Sequence, residues 1–373
     1  MSVAWSSVPG VAGSSPGSAP TGNAVFSASD VVHPFDEAAK RQLESMTGLQ
    51  ATVQAFMKVY SEREAHNFHL SECLRLGPNQ LPEIYRLLPP ICDAFGIPEP
   101  ELYLAMGGVN AYTFGHTRTS IIIFSDLLDH LAPDEIEAVI AHECGHILLQ
   151  HVLYHSMAQF LDAAREIGSY APIPGLSAVL SLASVPIQSA LTSWSQKSEL
   201  SADRAAAAYL GSPDAITRVM FRFAGVKVDS PYVHSVQAFA DQALEWEALR
   251  ESRWNRILQW MLSKQSTHPM LAVRVREIQA WSATPGFANL AAAAARFRAA
   301  ARCPSCAHTV EPAWRHCQEC GASLTGLPAA PSPSAPVPAS PAPAPGSLPP
   351  AAPVPAVPVT RPGETIQLQR PPA

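Results

Sequence analysis

His142-Glu143-Cys144-Gly145-His146 decides how the rest of this chain is read. On a helix, residues four apart share a face, so His142 and His146 can turn imidazole nitrogens toward one metal ion. Glu143 sits about 100° around from His142. A carboxylate there can reach a water on that ion and act as general base. The neighbouring sequence suits a helix. Ala132-Pro133-Asp134-Glu135 reads as a helix start, with Pro in the first turn and acids at the positive end. Ile136, Val139, Ile140 and Ile147 follow helical spacing, and no Gly or Pro intervenes before Gly145. Cys144 falls roughly opposite the metal-facing side and reads as a small core residue.

A catalytic zinc needs a third protein ligand and an open position for water. Two glutamates compete for that role. Glu166 is separated from His146 by nineteen residues, a spacing similar to that of thermolysin-like peptidases. Glu199 lies further on, in Ser198-Glu199-Leu200-Ser201-Ala202-Asp203-Arg204. Metal-bound histidines usually donate their other N–H to a carboxylate. Asp203, one turn after Glu199, can accept it; Tyr170, one turn after Glu166, cannot. Ala202 and Ala205 to Ala208 also supply small residues where a second helix must approach the first closely. The ligand set is therefore His142, His146 and Glu199, with Asp203 behind them.

In this combination the chain resembles the HtpX-like and CAAX-prenyl-protease-like zinc metallopeptidases of gluzincin type. Four segments in order carry the resemblance: Asn110-Ala111-Tyr112 with Gly115, His142-Glu143-x-x-His146, Glu199-x-x-x-Asp203, and Ser266-Thr267-His268-Pro269 with Arg274. The similarity runs from about residue 36 to 283. It implies an α+β, predominantly α-helical peptidase domain with a small β-sheet beside the active-site helix. It further implies that Asn110, Ala111 and Gly115 bind substrate beside an edge strand at about 119–124, which would hold a peptide extended. By the same resemblance His268 and Arg274 line the cleft. His268 would stabilise the tetrahedral intermediate, as a positioned donor at a developing oxyanion can. Arg274 can equally anchor the carboxylates.

Composition narrows the remaining choices. The 373 residues are 47% hydrophobic, ample for one domain and appendages. A net charge of −6 leaves no electrostatic footprint for nucleic acid as a partner. No basic residue precedes Lys40 and no clean apolar segment lies there, which speaks against a secretory signal. Of seven cysteines, Cys73, Cys92 and Cys144 are scattered among apolar neighbours, as in a reduced cytoplasmic protein.

Along the chain, residues 1–32 are rich in Ser, Gly, Ala and Pro and read as disordered. Helical periodicity begins at Phe35-Asp36, with Leu43, Met46, Val53, Phe56, Met57 and Tyr60 on one stripe. His66 and His69 carry no assignment. Strands are expected at Leu102–Leu104 and Ile121–Phe124, then helix to about 300. One run bears on localisation: no charged residue occurs between Ile167 and Gln196, and Ile173–Leu191 approaches membrane-span hydrophobicity. Gln150, His151, His155 and Gln159 put a polar stripe on the segment before it. The expectation is a helix pair shielding the cleft of a cytoplasmic protein. Membrane association through residues 147–191 is the alternative.

Cys303-Pro304-Ser305-Cys306, ten residues, then Cys317-Gln318-Glu319-Cys320 is a second metal signature. Two C-x-x-C knuckles offer four thiolates tetrahedrally, a closed structural zinc site with no position for water. So short a segment buries no core, so the metal would supply its folding free energy. His308 and His316 read as surface residues. From Pro328 onward sixteen of the last 46 residues are Pro, which favours an extended tail. The expected organisation is a disordered segment (1–32), a zinc metallopeptidase domain (33–300), a zinc ribbon (301–324) and a disordered Pro/Ala-rich tail (325–373).

These readings point to a zinc-dependent metalloendopeptidase acting on protein or peptide substrates, with protein quality control as a setting. One Zn2+ would be catalytic and one structural. Glu143 and His268 would be the catalytic side chains, and the ribbon or Pro-rich tail would offer a docking site to a protein partner. The rival reading is a catalytically silent zinc protein that binds unfolded or partner proteins; a pure binder has no need of Glu143.

Overall fold

The computed structural model describes residues 24–59, 62–167, 179–180, 182–232, 234–248, 270–311 and 313–324. Four short strands make one mixed sheet: β1 (Leu74–Arg75), β2 (Glu101–Ala105), β3 (Ala111–Phe114) and β4 (Ser120–Phe124), in the order β1-β2-β4-β3. β4 runs parallel to β2, with Leu102 beside Ile121, and antiparallel to β3, with Tyr112 beside Ile122. Its Ile121, Ile122 and Ile123 are buried on both faces, as an interior strand requires. The expectation of an edge strand at about 119–124 is therefore corrected. β4 lies inside the sheet, and β3 forms the edge on that side, with β1 at the other. Gly115 ends β3 at φ +105, where a Cβ would strike the Arg118 carbonyl, so the turn into β4 needs glycine.

The motif helix spans Pro133–Leu148 and starts as its sequence indicates. Pro133 occupies the first turn, and Glu135 reaches back to accept from the Ala132 N–H at 2.9 Å. Glu135 is fully buried, and Arg222 meets it with two contacts of 2.8 and 3.0 Å, so its charge is matched. The longest of the described helices, Val185–Leu210, lies against the motif helix. Gly145 sets their separation. A Cβ on it would come within 2.8 Å of Ala205 Cβ and 3.3 Å of Ala202 Cα. Small residues on both helices thus let two backbones approach closely enough to share a metal site. Cys144, on the far side, is fully buried in the core.

The apolar interior has two main parts. One joins the sheet to the motif helix through Ile91, Ile121, Ile123, Val139 and Ile140. The other gathers Leu43, Phe56, Met157, Ile187 and Trp194 around the N-terminal helices. Order begins earlier than composition implied. Residues Ala28–Val31 form a helical turn, and Phe26 and Val31 are core residues, so the disordered reading of 1–32 extends too far. On the expected stripe Leu43 and Phe56 are buried, whereas Met57 is exposed. No helix among the described residues is long and apolar enough to cross a membrane. Much of the uncharged run between Ile167 and Gln196 lies outside the described residues, and Val185–Leu191 begins the longest of the described helices.

Candidate active site

His142 and His146 leave one face of the motif helix with their Nε2 atoms 3.2 Å apart. Glu199, from the facing helix, closes the triangle: Oε2 lies 3.5 Å from His142 Nε2 and Oε1 lies 3.4 Å from His146 Nε2. An ion at the centre of such a triangle sits about 2 Å from each corner, the Zn–N and Zn–O bond length. All three side chains are buried or nearly so. The donor set, two imidazoles and one carboxylate, is that of a catalytic zinc. Glu166 belongs to the helix Val152–Ile167.

Charges behind the triangle are closely matched. Asp203 Oδ1 lies 3.0 Å from His142 Nδ1, and Arg274 grips Asp203 with two hydrogen bonds of 2.8 and 2.7 Å. The third guanidinium nitrogen lies 3.0 Å from Glu199 Oε2. Burial alone would raise both carboxylate pKa values. The Arg274 charge and contacts with His142 outweigh it and hold Glu199 well below, and Asp203 below, the usual range. Burial opposes a charge on His142, but Asp203 and Glu199 push its pKa up to about 10. The site is thus a compact cluster of compensated charges. Arg274 is an anchor of the two carboxylates, one of the two roles considered for it.

Glu143 reaches the sheet from the motif helix. The Thr113 hydroxyl on β3 donates to Glu143 Oε2 at 2.7 Å, with both residues buried. This contact ties the carboxylate to the sheet's free edge. Asn110 precedes the same strand and Ala111 begins it; Asn110 Oδ1 accepts from the Ala111 N–H at 2.9 Å. Ser266, Thr267 and His268 lie outside the described residues.

Four residues of this region carried no role in the sequence. Thr113 sits inside the Asn110–Gly115 segment without being singled out. His151, Asp36 and Ser201 form a buried chain behind His146. His151 Nδ1 lies 3.1 Å from His146 Nδ1, His151 Nε2 lies 3.1 Å from Asp36 Oδ2, and Ser201 donates to the same oxygen at 2.6 Å. Burial drives the His151 pKa down to about 4, against the pull of Asp36. Only the five-residue step from His146 to His151 hinted at this in the sequence, and it does not fit a helical face.

The four ribbon cysteines also converge, with their sulfurs within 4.8 Å of one another. Sγ of Cys303 lies 3.6 Å from that of Cys320, and Cys306 and Cys317 are also 3.6 Å apart. The edge of a tetrahedron with Zn–S bonds of about 2.3 Å is about 3.8 Å, so four thiolates here suit a structural zinc. The knuckles mirror each other: Ala307 and Gly321, each following a second cysteine, both take positive φ (65° and 70°). His308 is not surface decoration. Its ring joins Asp93 at 2.9 Å and Glu99 at 3.1 Å, and Thr309 N–H donates to Asp93 at 2.7 Å, docking the ribbon on the peptidase domain.

Comparison with known proteins agrees with this geometry. The model of peptidase family M48 matches residues 78–282. A plastoglobule-localized chloroplast metallopeptidase 48 of Arabidopsis thaliana is 26% identical over 266 residues, covering 70% of this chain and 75% of its own. A protease HtpX homolog of Nostoc punctiforme is 27% identical over 208 residues, 49% of this chain and 70% of its own. An HtpX homolog of Acaryochloris marina is 24% identical over 251 residues, 62% and 82% of the two chains. No solved structure matches the chain. With the HExxH helix, the facing glutamate and more than half its length matched, this chain belongs to peptidase family M48, the HtpX-like zinc metalloproteases.

Proposed function

We propose that the chain is an endopeptidase in which His142, His146 and Glu199 hold one catalytic zinc and Glu143 is the general base. Its substrates are proteins or peptides, as the family implies. The observation that carries the assignment is the triangle of 3.2–3.5 Å between two Nε2 atoms and the Glu199 carboxylate. Zinc bound there polarises the scissile carbonyl and acidifies the attacking water. Glu143 takes the proton from that water and returns it to the leaving amine. Thr113 keeps the Glu143 carboxylate turned toward the sheet edge, where β3 can pair with an extended substrate backbone between Asn110 and Gly115. His268, by family resemblance, donates to the developing oxyanion. Asp203 accepts the Nδ1–H of His142 and is itself fixed by Arg274.

Cys303, Cys306, Cys317 and Cys320 hold a second, structural zinc, and the ribbon or the Pro-rich tail offers a docking site for a protein partner. Protein quality control in the cytoplasm is the proposed setting. Incubation of the purified chain with unfolded casein tests the activity. Cleavage that stops on chelation and returns with zinc is expected; binding without cleavage would favour the silent alternative.

A further inference from the structure

The two metal-facing histidines are supported in different ways. His142 meets a carboxylate directly, Asp203 Oδ1 at 3.0 Å. His146 meets none. Its Nδ1 faces His151 Nδ1 at 3.1 Å, and the carboxylate, Asp36, stands one imidazole further back at 3.1 Å from His151 Nε2. His151, Asp36 and Ser201 are each at most 1% exposed. The network admits one proton arrangement. For His146 to present Nε2 to a metal, its Nδ1 must carry the proton and donate it to His151 Nδ1. His151 then carries its single proton on Nε2 and donates it to Asp36. A second proton on His151 would set two N–H groups against each other.

The backbone is shaped to make this contact. The motif helix ends at Leu148 with Leu149 as its cap, Gln150 takes a left-handed φ of 57°, and the His151 N–H returns to the His146 carbonyl at 2.9 Å. Glycine is the usual residue at such a helix end, since a side chain there is strained. The strained turn swings His151 back beneath His146. Asp36 comes from the helix Pro34–Glu44, more than a hundred residues earlier. Ser201, two residues past Glu199, ties that helix to the ligand helix: it donates to Asp36 and accepts from the His33 N–H at 2.9 Å.

We propose that Asp36 and His151 form a carboxylate–imidazole chain that positions His146 for the metal, making the N-terminal helix part of the active-site architecture. His151 is a positioning residue; it touches neither substrate nor metal. Nitrogens of His146, His151 and His155 also lie within 4.8 Å of one another and could bracket a second ion. That would require His146 to lose its Nδ1 proton while its Nε2 faces the first ion, and His151 to give up Asp36. The proposal rests on His146 being a zinc ligand, and H146A checks that separately by abolishing the catalytic zinc.

The test is zinc affinity of the full chain, measured by competition with a chromophoric chelator, with the visible spectrum of the cobalt-substituted protein as a second readout. Removing an outer partner of a ligating histidine typically weakens metal binding about 10–100-fold. H151F should do so and shift the cobalt bands, while H151Q, which keeps an acceptor and a donor, should recover part of the loss. D36A should weaken zinc in the wild type and add nothing in H151F. Should H151F fail to fold, H151N replaces it: its amide reaches His146 but not Asp36, so zinc affinity should no longer respond to D36A. A folded H151F with wild-type affinity and unchanged bands would overturn the proposal, as would a full D36A effect in the H151N background. Loss of an entire extra metal equivalent from H151F would overturn it in favour of a second ion. Zinc retained by H146A would instead fail the ligand assignment itself.

Discussion

Thr113 donates a 2.7 Å hydrogen bond to Oε2 of Glu143 from the free edge of the sheet. Strand and carboxylate are thereby one unit, since any shift of β3 moves Glu143. T113V removes the hydroxyl and keeps the shape. A hydrogen bond to a charged group contributes about 1.5–3 kcal/mol, so cleavage should fall by about 10- to 100-fold. Zinc content should be unchanged. Casein cleavage rates alongside metal analysis check this, and an unchanged rate would show that Glu143 is positioned by other contacts.

Arg274 holds two buried carboxylates, Glu199 and Asp203, at 3.0 and 2.7 Å. Replacing it with methionine fills the space and leaves the two carboxylates with only His142 and His146 to offset them. Breaking a buried pair by removing one partner costs about 3–5 kcal/mol. Chemical denaturation of R274M in the presence of chelator should show a loss of that order. With zinc bound the loss should shrink, because the metal compensates Glu199. R274K should recover only part of it, lacking the planar fork that spans both acids.

The clip between His33 and Glu277, 3.2 Å long, fastens the N-terminal segment to the helix Leu271–Ser282. The bond from His33, with help from Arg276, lowers the Glu277 pKa to about 2 from 4.5. A carboxylate depressed in this way contributes stability that is fully present above pH 4.5. The contribution is lost as pH falls from there through about 2. Glu277 is partly exposed, so E277Q should cost on the order of 1 kcal/mol at pH 6. The gap between wild type and E277Q, followed by denaturation of the metal-free chain, should narrow as pH drops below 4.5. A gap that widened in acid would reverse the assigned sign.

The ribbon and the peptidase site should bind metal independently. A chain ending near Arg298 should hold one zinc and the full chain two; two in the shorter chain would contradict the cysteine site. Within the ribbon, Ala307 occupies a left-handed position that Gly321 fills in the mirror knuckle. A307G should therefore preserve the zinc and leave stability equal or raised by about 1 kcal/mol.

The pairing of His142 with His146 was legible in the sequence because helical spacing decides which residues of one helix share a face. Glu199 was preferred to Glu166 because Asp203 stands one turn beyond it, and Ala202 with Ala205 to Ala208 marked where a second helix comes close. The strand order was not legible. Local pattern locates β2 and β4, but the strand β3 between them, and the parallel pairing of β4 with β2, depend on packing across the whole sheet. That pairing moved the free edge from β4 to β3. His151 and Asp36 were hidden for a different reason. Their meeting depends on a left-handed Gln150, which no helical period anticipates, and on an N-terminal helix folding back across more than a hundred residues. His308 looked like a surface residue because its partners, Asp93 and Glu99, lie more than two hundred positions earlier.

The most direct test of the proposed chemistry is E143Q, which keeps the size and hydrogen-bonding capacity of the side chain and removes only the base. Zinc content, fold and the contact with Thr113 should survive. Cleavage of unfolded casein should fall by about 10² to 10⁴-fold or more, the range for a positioned general base. Near-normal cleavage by zinc-loaded E143Q would contradict the mechanism.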